Sequence, residues 1–208
     1  MYITEKMLEQ LRASLKSRLS EKRYLHTLGV EETSVHLGKM LLPSKLTELR
    51  AAALLHDVAK EYQKDELLLI LRECEGVTRS DLDAPPAYHA VCAPVVINRD
   101  FGEFATEEIL SAVFKHTTAD ENMSTFDKII FIADYIEPGR KYYQCVSLRD
   151  WLTSSLNEAK SEEERQRQLD RAVLLALENT VKALGERGDI INERTLKSKA
   201  ALMKILGN

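Results

Sequence analysis

Residues Ala52–Lys60, with the sequence AALLHDVAK, decide how this chain is interpreted. An apolar helical run ends here in a histidine and an aspartate side by side, and a lysine follows three residues later. A carboxylate is rarely buried unless it is paired or bound to another group. The doublet is therefore either a helix end that carries polar residues or one part of a metal site. The rest of the chain has to decide between these two interpretations.

The remaining sequence has the pattern of a helical protein. The chain has 208 residues, of which 44% are hydrophobic and 30% are charged, and this is enough for one packed core. Apolar residues recur at helical spacing almost throughout, and breaks at Gly and Pro divide the chain into roughly nine or ten helices. We predict an all-α bundle that forms a single domain over residues 1–208. Its core spans about residues 20–140, and the C-terminal helices of residues 150–208 pack on that core.

Composition limits the class of partner. The formal net charge is -4 and the isoelectric point is near 5.8, whereas a protein that coats nucleic acid needs a basic excess. The three cysteines are odd in number and far apart, which fits a reducing cytoplasm better than a disulfide framework. No apolar run approaches the ~20 residues of a membrane span. We expect a cytoplasmic protein that binds neither nucleic acid nor a membrane, and the sequence leaves open whether it forms a homodimer.

Histidines and aspartates are spaced along the chain in a way that favours a metal site. The gaps between them run from 18 residues (His116 to Asp134) to 32 residues (Asp57 to His89), each about one helix with its connection. Helices of a bundle can bring such residues to one point. The fifth histidine, His36, is rotated by about 80° from the face of His26, and we expect it at the surface. The series that could converge consists of His26, His56, Asp57, His89, His116 and Asp134.

Three stretches resemble the HD-domain superfamily of metal-dependent phosphohydrolases, which has spaced His, His-Asp and Asp residues on helices. The stretches are RYLHTLGV (23–30), AALLHDVAK (52–60) and KHTTADENMSTFDKIIFIADYIEPGR (115–140). They look most like its YqeK-type branch, the bacterial symmetrical bis(5'-nucleosyl)-tetraphosphatases, which split diadenosine tetraphosphate into two ADP. The resemblance covers about residues 20–140. One departure is Ala119, where the family usually has glycine after His-Thr-Thr.

The resemblance implies a divalent metal cofactor and favours iron, in one or two ions. Manganese, cobalt, nickel and zinc also suit mixed imidazole and carboxylate ligands. The core metal ligands that carry over are His26, His56, Asp57 and Asp134. The resemblance also implies that His89 and His116 either hold a second metal or contact the substrate phosphates.

Cations near these ligands are expected to bind the polyphosphate of a small-molecule nucleotide. Lys60 lies four residues after His56, so on a continuing helix the two side chains share a face. The substrate-binding residues that we predict are Arg23, Lys60, Thr117 and Arg140. The expected attacking group is a metal-bound water held by Asp57 and Lys60, because a metal lowers the pKa of its water.

Two alternatives to a symmetrical tetraphosphatase are open at this point. One is an HD phosphohydrolase that acts on another nucleotide, such as a nucleoside monophosphate, a cyclic nucleotide or a guanosine alarmone. The other belongs to a different class, a non-catalytic nucleotide-binding sensor that keeps the fold. The complete series of ligand residues argues against the sensor, and product analysis separates the two enzymes.

Overall fold

A computed structural model describes residues 3–207, and within that range it contains helices and turns but no strand. The all-α prediction is therefore confirmed. Eleven helices are present in the described residues, more than the roughly nine or ten expected, and two of the eleven, α4 and α5, are short. None of them combines the length and apolar character needed to span a membrane. Their bounds are Glu5–Arg18 (α1), Glu21–Leu41 (α2), Leu46–Leu55 (α3), Lys64–Ile70 (α4), Arg79–Leu82 (α5), Tyr88–Asp100 (α6), Glu107–Lys115 (α7), Thr125–Ile136 (α8), Tyr143–Glu158 (α9), Glu162–Arg187 (α10) and Glu193–Leu206 (α11).

Helix α3 is the centre of the core. Residues 51–55 are fully buried, as expected for a helix that is apolar on all sides. Helices α1, α2, α7 and α8 all contact it. Because α3 is surrounded in this way, the polar residues that follow Leu55 emerge inside the bundle rather than at its surface.

Helix α8 is fixed at its start and buried along its length. The Ser124 hydroxyl accepts a hydrogen bond from the Asp127 backbone N–H, and the Asp127 carboxylate accepts one from the Ser124 backbone N–H. This reciprocal capping satisfies two of the free N–H groups at the helix start. Each residue of the apolar run 129–133 is at most 5% exposed to solvent. The register of α8 is therefore well defined where it delivers Asp134 to the interior.

The C-terminal helices pack against the rest of the bundle. Helix α10 contacts α2, α8, α9 and α11. Arg194 on α11 forms ion pairs with Asp81 at 3.1 Å and with Asp120 at 3.3 Å. Asp81 is completely buried and also accepts a hydrogen bond from the side chain of Asn192 at 3.0 Å. These contacts tie the last helix to α5 and to the turn after α7.

Candidate metal centre

Five segments of the bundle bring the predicted series together. His26 lies on α2, His89 on α6 and Asp134 on α8, while His56 with Asp57 follows α3 and His116 follows α7. The chain turns after Leu55, so the continuing helix that we expected for Lys60 is not formed. Turns rather than a helix carry Asp57 and Lys60 into the same interior cavity. The structure gathers all six residues: His26, His56, Asp57, His89, His116 and Asp134.

One half of the cluster is formed around His26. Its Nε2 atom lies 3.3 Å from His56 Nε2 and 3.1 Å from Asp134 Oδ1. Asp57 Oδ2 is 3.4 Å from His56 Nε2 and 3.7 Å from His26 Nε2. Two imidazole nitrogens and two carboxylate oxygens therefore converge on one point.

The other half shares Asp57. The second oxygen of that carboxylate, Oδ1, lies 3.3 Å from His89 Nε2 and 3.6 Å from His116 Nε2. The two histidine nitrogens are 3.2 Å apart. Because its two oxygens face different pairs of histidines, Asp57 is placed to bridge two cations.

Hydrogen bonds on the far side of two rings determine their tautomers. The Nδ1 atom of His56 lies 2.7 Å from the Ala53 carbonyl, and that of His116 lies 2.6 Å from the Val113 carbonyl. A carbonyl only accepts, so each Nδ1 carries the proton and donates it. When such a ring is neutral, its Nε2 atom therefore presents a lone pair to the cluster. Nε2 lone pairs facing carboxylate oxygens in a buried site repel one another unless a cation or proton lies between them.

The donor set fits a divalent transition metal. Imidazole nitrogens suit zinc, copper, iron and nickel, and carboxylates widen the range to manganese. Carbonyl acceptors on the Nδ1 side are the usual outer partners of metal-binding histidines. Two groups of residues have ligand atoms close enough to share an ion, namely His26 with His56 and Asp134, and His56 with Asp57 and His116.

Electrostatics keep the aspartates ionised. Burial acts to raise the pKa of Asp57, but the neighbouring histidines, His56 foremost, hold it well below its usual range. Burial opposes ionisation of Asp134 as well, yet a hydrogen bond with His26 and nearby positive charge lower its pKa. Burial and an adjacent lysine hold the pKa of His89 well below its ordinary value. Burial acts to lower the pKa of His56, but the Asp57 carboxylate raises it above its ordinary value. The centre thus combines charged carboxylates with one neutral imidazole, His89, and with a second, His56, from which a metal would displace a proton.

All four residues expected to bind phosphate border the same cavity, which has a volume of about 260 Å³. Arg23 pairs with Asp57 at 2.6 Å, and Arg140 pairs with Asp134 at 2.6 Å. Lys60 Nζ lies 3.1 Å from His89 Nε2, and Thr117 Oγ1 lies at the same distance from that atom. The two guanidinium groups therefore contact carboxylates of the cluster while remaining next to the space where a phosphate would lie.

Glu137 is a residue of the site that sequence reasoning did not identify. Its Oε1 atom accepts a hydrogen bond from His26 Nδ1 at 3.1 Å, and its side chain is almost fully buried. The carboxylate also accepts a hydrogen bond from the Gly139 backbone N–H. Gly29 on α2 packs so closely that a Cβ there would lie 2.5 Å from Glu137 Oε2. A carboxylate in this position orients the histidine ring and raises its basicity toward a metal.

Arg149 on α9 holds the turn that carries Glu137 and Arg140. Its guanidinium donates hydrogen bonds to the carbonyls of Ile136, Glu137 and Arg140. One partly buried cation therefore satisfies three carbonyls of a turn that contains proline and glycine. The Glu-Pro-Gly-Arg sequence was visible as part of a signature, but the partner on the following helix was not.

The backbone conformation of Ala119 explains why the family usually has glycine at this position. It is the single non-glycine residue with positive φ (58°) among residues 3–207. Its N–H bonds to the Lys115 carbonyl at 2.8 Å, which closes the end of α7. A left-handed residue at this position is typical of helix ends, and glycine adopts it without the ~1–2 kcal/mol that a Cβ costs.

His36 lies away from the cluster, in a separate groove beside Lys39 and Arg50.

Comparisons with known proteins agree with this geometry. The model of a family described as "HD domain" matches residues 23–139. A symmetrical bis(5'-nucleosyl)-tetraphosphatase from Halalkalibacterium halodurans is 32% identical over 91% of this chain and 93% of its own length. A protein of the same name from Bacillus subtilis is 35% identical over 73% of this chain and 80% of its own length.

A solved structure has the same fold. It is described as a "predicted HD superfamily hydrolase involved in NAD metabolism" and comes from Clostridium acetobutylicum. The TM-score is 0.80 with 28% identity, and the superposition covers 95% of this chain and 97% of the other. The C-terminal helices thus belong to the shared fold, since the match extends well beyond the region of residues 23–139.

Proposed function

This chain belongs to the HD-domain family, and on that basis we propose that it hydrolyses diadenosine tetraphosphate and related dinucleoside polyphosphates symmetrically. The observation that carries the proposal is the cluster of four histidines and two aspartates in which Asp57 faces both halves. Three cations, Arg23, Lys60 and Arg140, surround that cluster and match the charge of a polyphosphate. The names of the relatives from two bacteria supply the substrate.

The residues proposed to hold metal divide into two sets. We assign the first ion to His26, His56, Asp57 and Asp134. His89 and His116, together with Asp57, would take a second ion or contact the phosphates directly. We propose iron on the family resemblance, although the donor set also suits manganese, cobalt, nickel and zinc. A bound metal supplies Lewis acidity toward the phosphoryl oxygen and activates a water as nucleophile near neutral pH.

The chain's own residues position the reacting groups. Asp57 and Lys60 border the space in which the attacking water would be held. Arg140 and Arg23 come from different segments and would bind phosphates of the bridge next to the phosphorus under attack, with charge-assisted hydrogen bonds. The Thr117 hydroxyl is 3.0 Å from His116 Nε2 and can donate to a phosphate oxygen. These groups favour polyphosphate, rather than a sugar or a base, next to the cluster.

The reaction that follows consumes one water and gives two ADP. The water oxygen forms a bond to one of the two inner phosphorus atoms, and the bond from that phosphorus to the central bridging oxygen breaks. The leaving group is ADP, whose developing charge the cations stabilise. The proton of the attacking water is released to solvent or to the leaving phosphate.

The experiment is nucleotide chromatography with anaerobically purified protein, preceded by metal analysis. We expect bound metal and ADP as the sole nucleotide product from diadenosine tetraphosphate. ATP together with AMP would exclude symmetrical cleavage. Brisk phosphate release from mononucleotides without hydrolysis of any dinucleoside polyphosphate would establish another HD phosphohydrolase, and binding without turnover in iron-replete, reducing conditions would establish a sensor.

Three wider proposals accompany this one. We propose that residues 1–208 act as a single domain, which the packing of α10 on α2 and α8 supports. We propose a cytoplasmic setting without nucleic-acid partners, which the three free cysteines and the acidic composition support. A homodimer is a further proposal, and light scattering coupled to gel filtration tests it.

A further inference from the structure

Two larger cavities adjoin the central metal cavity. Arg23 and Arg140 line both the central cavity and an open cleft of about 1140 Å³. Thr117 and Thr180 line both the central cavity and another cavity of about 440 Å³. Each of the two larger spaces therefore borders the central cavity at residues that they share. The chemistry proposed for the cluster leaves the cavity beyond Thr117 and Thr180 without a role.

We call that space the C-terminal cavity, because the end of α10 and the segment after it form one wall. The 3₁₀ turn Pro85–Ala87 forms another part of its lining. Its volume falls within the roughly 300–1,000 Å³ that is typical of small-molecule sites. Its apolar lining includes Ala84, Pro86, Leu184 and Ile190.

The chemistry of the C-terminal cavity suits a flat, neutral group. Aliphatic walls of this kind pack against the faces of a heterocyclic base. The cation at its edge, Arg187, is already paired with Asp189 at 2.9 Å. Asp83 also lines the cavity and pairs with Arg79 at 3.0 Å. Carboxylates repel phosphate but accept hydrogen bonds from hydroxyl and amino groups, so a ribose or a base is favoured here and phosphate is not.

The open cleft on the other side has a different character. Four basic residues and four glutamates line it together with the exposed side chain of Tyr142; they are Lys22, Arg23, Arg140, Lys141, Glu21, Glu32, Glu61 and Glu137. Arg23 and Arg140, which the cleft shares with the central cavity, can contact phosphates, and an exposed aromatic ring can stack on a base. The two cavities thus differ in polarity, because charged side chains of both signs line the cleft whereas the C-terminal cavity has largely apolar walls.

We propose that the C-terminal cavity binds one nucleoside of the dinucleoside substrate. Its base lies against the apolar walls, and the phosphates pass Thr117 and Thr180 to reach the metal centre. The open cleft then accommodates the other half of the substrate. This inference rests on the proposed function and extends it, because it gives the C-terminal helices a role in selecting nucleosides. It also explains symmetrical cleavage, since nucleosides held on both sides leave the middle of the bridge at the cluster.

The test fills the cavity without altering the metal cluster. Leu184→Trp places an indole into the C-terminal cavity, and Lys182→Trp adds the same group on the same helix at an exposed position outside it. Equilibrium dialysis of the metal-loaded proteins uses ADP and, as a probe that lacks a nucleoside, inorganic pyrophosphate. We expect Leu184→Trp to bind one equivalent of ADP fewer per chain than the wild type and Lys182→Trp, with pyrophosphate affinity unchanged. Unchanged ADP binding, or equal losses of ADP and pyrophosphate, would overturn the proposal.

A second variant keeps the proposal testable if Leu184→Trp does not fold. Ile190 is 62% exposed, so Ile190→Ala leaves the core intact. We expect its affinity for ADP at this site to fall about threefold or more, because the smaller side chain covers less apolar surface of the base, while pyrophosphate binding stays the same. Equal ADP affinity in the wild type and Ile190→Ala would contradict the assignment. If ADP binds as described but no dinucleoside polyphosphate is hydrolysed, the nucleoside site stands and the proposed function fails.

Discussion

Adding one methyl group at Gly29 should weaken metal binding without unfolding the protein. Gly29 lies in α2, one turn after His26, and the nearest atoms to its Cβ position all belong to Glu137. The Cβ of alanine would lie 2.5 Å from Glu137 Oε2, whereas ordinary contact begins at 3.4 Å. The carboxylate therefore has to retreat by about 0.9 Å, the difference between these two distances. This movement also disturbs the hydrogen bond that the Gly139 backbone N–H donates to Glu137 Oε2.

The size of the effect follows from what Glu137 does. A displaced carboxylate loses its 3.1 Å hydrogen bond with His26 Nδ1, and the ring is no longer held in its orientation. Loss of such an outer partner typically lowers metal affinity about 10- to 100-fold, which is roughly 1.4–2.7 kcal/mol. Replacing glycine by alanine inside a helix stabilises the folded protein by about 1 kcal/mol, because alanine has the higher helix propensity, and this offsets the cost of moving Glu137. The metal-free protein should therefore unfold at a urea concentration close to that of the wild type.

Competition with a chromophoric chelator under anaerobic conditions measures the metal affinity of Gly29→Ala. Gly185→Ala is the matched control, because Gly185 lies in α10 and a Cβ there meets no atom within 4 Å. We expect the control to bind metal as the wild type does. If Gly29→Ala also retains wild-type metal affinity, Glu137 does not orient His26 and the reasoning is refuted.

Three further predictions concern the cluster and the C-terminal helix. Asp57→Ala should lose most of the metal and all hydrolysis, because both halves of the cluster share that carboxylate. Normal metal content with normal turnover in this variant would show that Asp57 is not part of the site. Lys60→Ala and Arg140→Ala should retain metal but lose a charge-assisted hydrogen bond to the substrate phosphates, which is worth about 1.5–3 kcal/mol. This loss should lower kcat/KM roughly ten- to hundredfold. Loss of metal in either variant would show that the residue has a structural role instead. Burial acts to raise the pKa of Asp81, but hydrogen bonds from Arg194 and other donors lower it to about 2. A carboxyl group whose pKa is lower in the folded than in the unfolded protein stabilises the fold at pH values above the unfolded pKa, and this contribution is lost as the pH falls through the folded pKa. In urea unfolding, the wild type should therefore lose about 2 kcal/mol of its stability advantage over Asp81→Asn between pH 4 and pH 2. If the unfolding free energies of the two proteins changed by the same amount with pH, this role of Asp81 would be contradicted.

The convergence of these histidines and aspartates could be predicted because their spacing reflects the helices that carry them. Each of His26, His89 and Asp134 lies on a separate helix, as the gaps between them indicated. The AAALL run correctly indicated a buried helix, since only a fully enclosed helix is apolar on every side. Local pattern was sufficient for both inferences.

Features that depend on distant partners could not be predicted. The role of Glu137 requires Gly29, which lies on another helix and becomes its neighbour only in the folded bundle. The break after Leu55 was missed because AALLHDVAK has no Gly or Pro to signal the turn. The C-terminal cavity likewise arises from the packing of α10 beside the turn Pro85–Ala87. Periodicity describes single elements, whereas these features arise between elements.

The most direct test of the central claim is to follow the products of diadenosine tetraphosphate in water labelled with heavy oxygen. We predict that metal-loaded protein gives two ADP, with one label in one of the two molecules, and that metal-free protein gives no product. ATP with AMP, or hydrolysis at the same rate without metal, would contradict the proposed reaction.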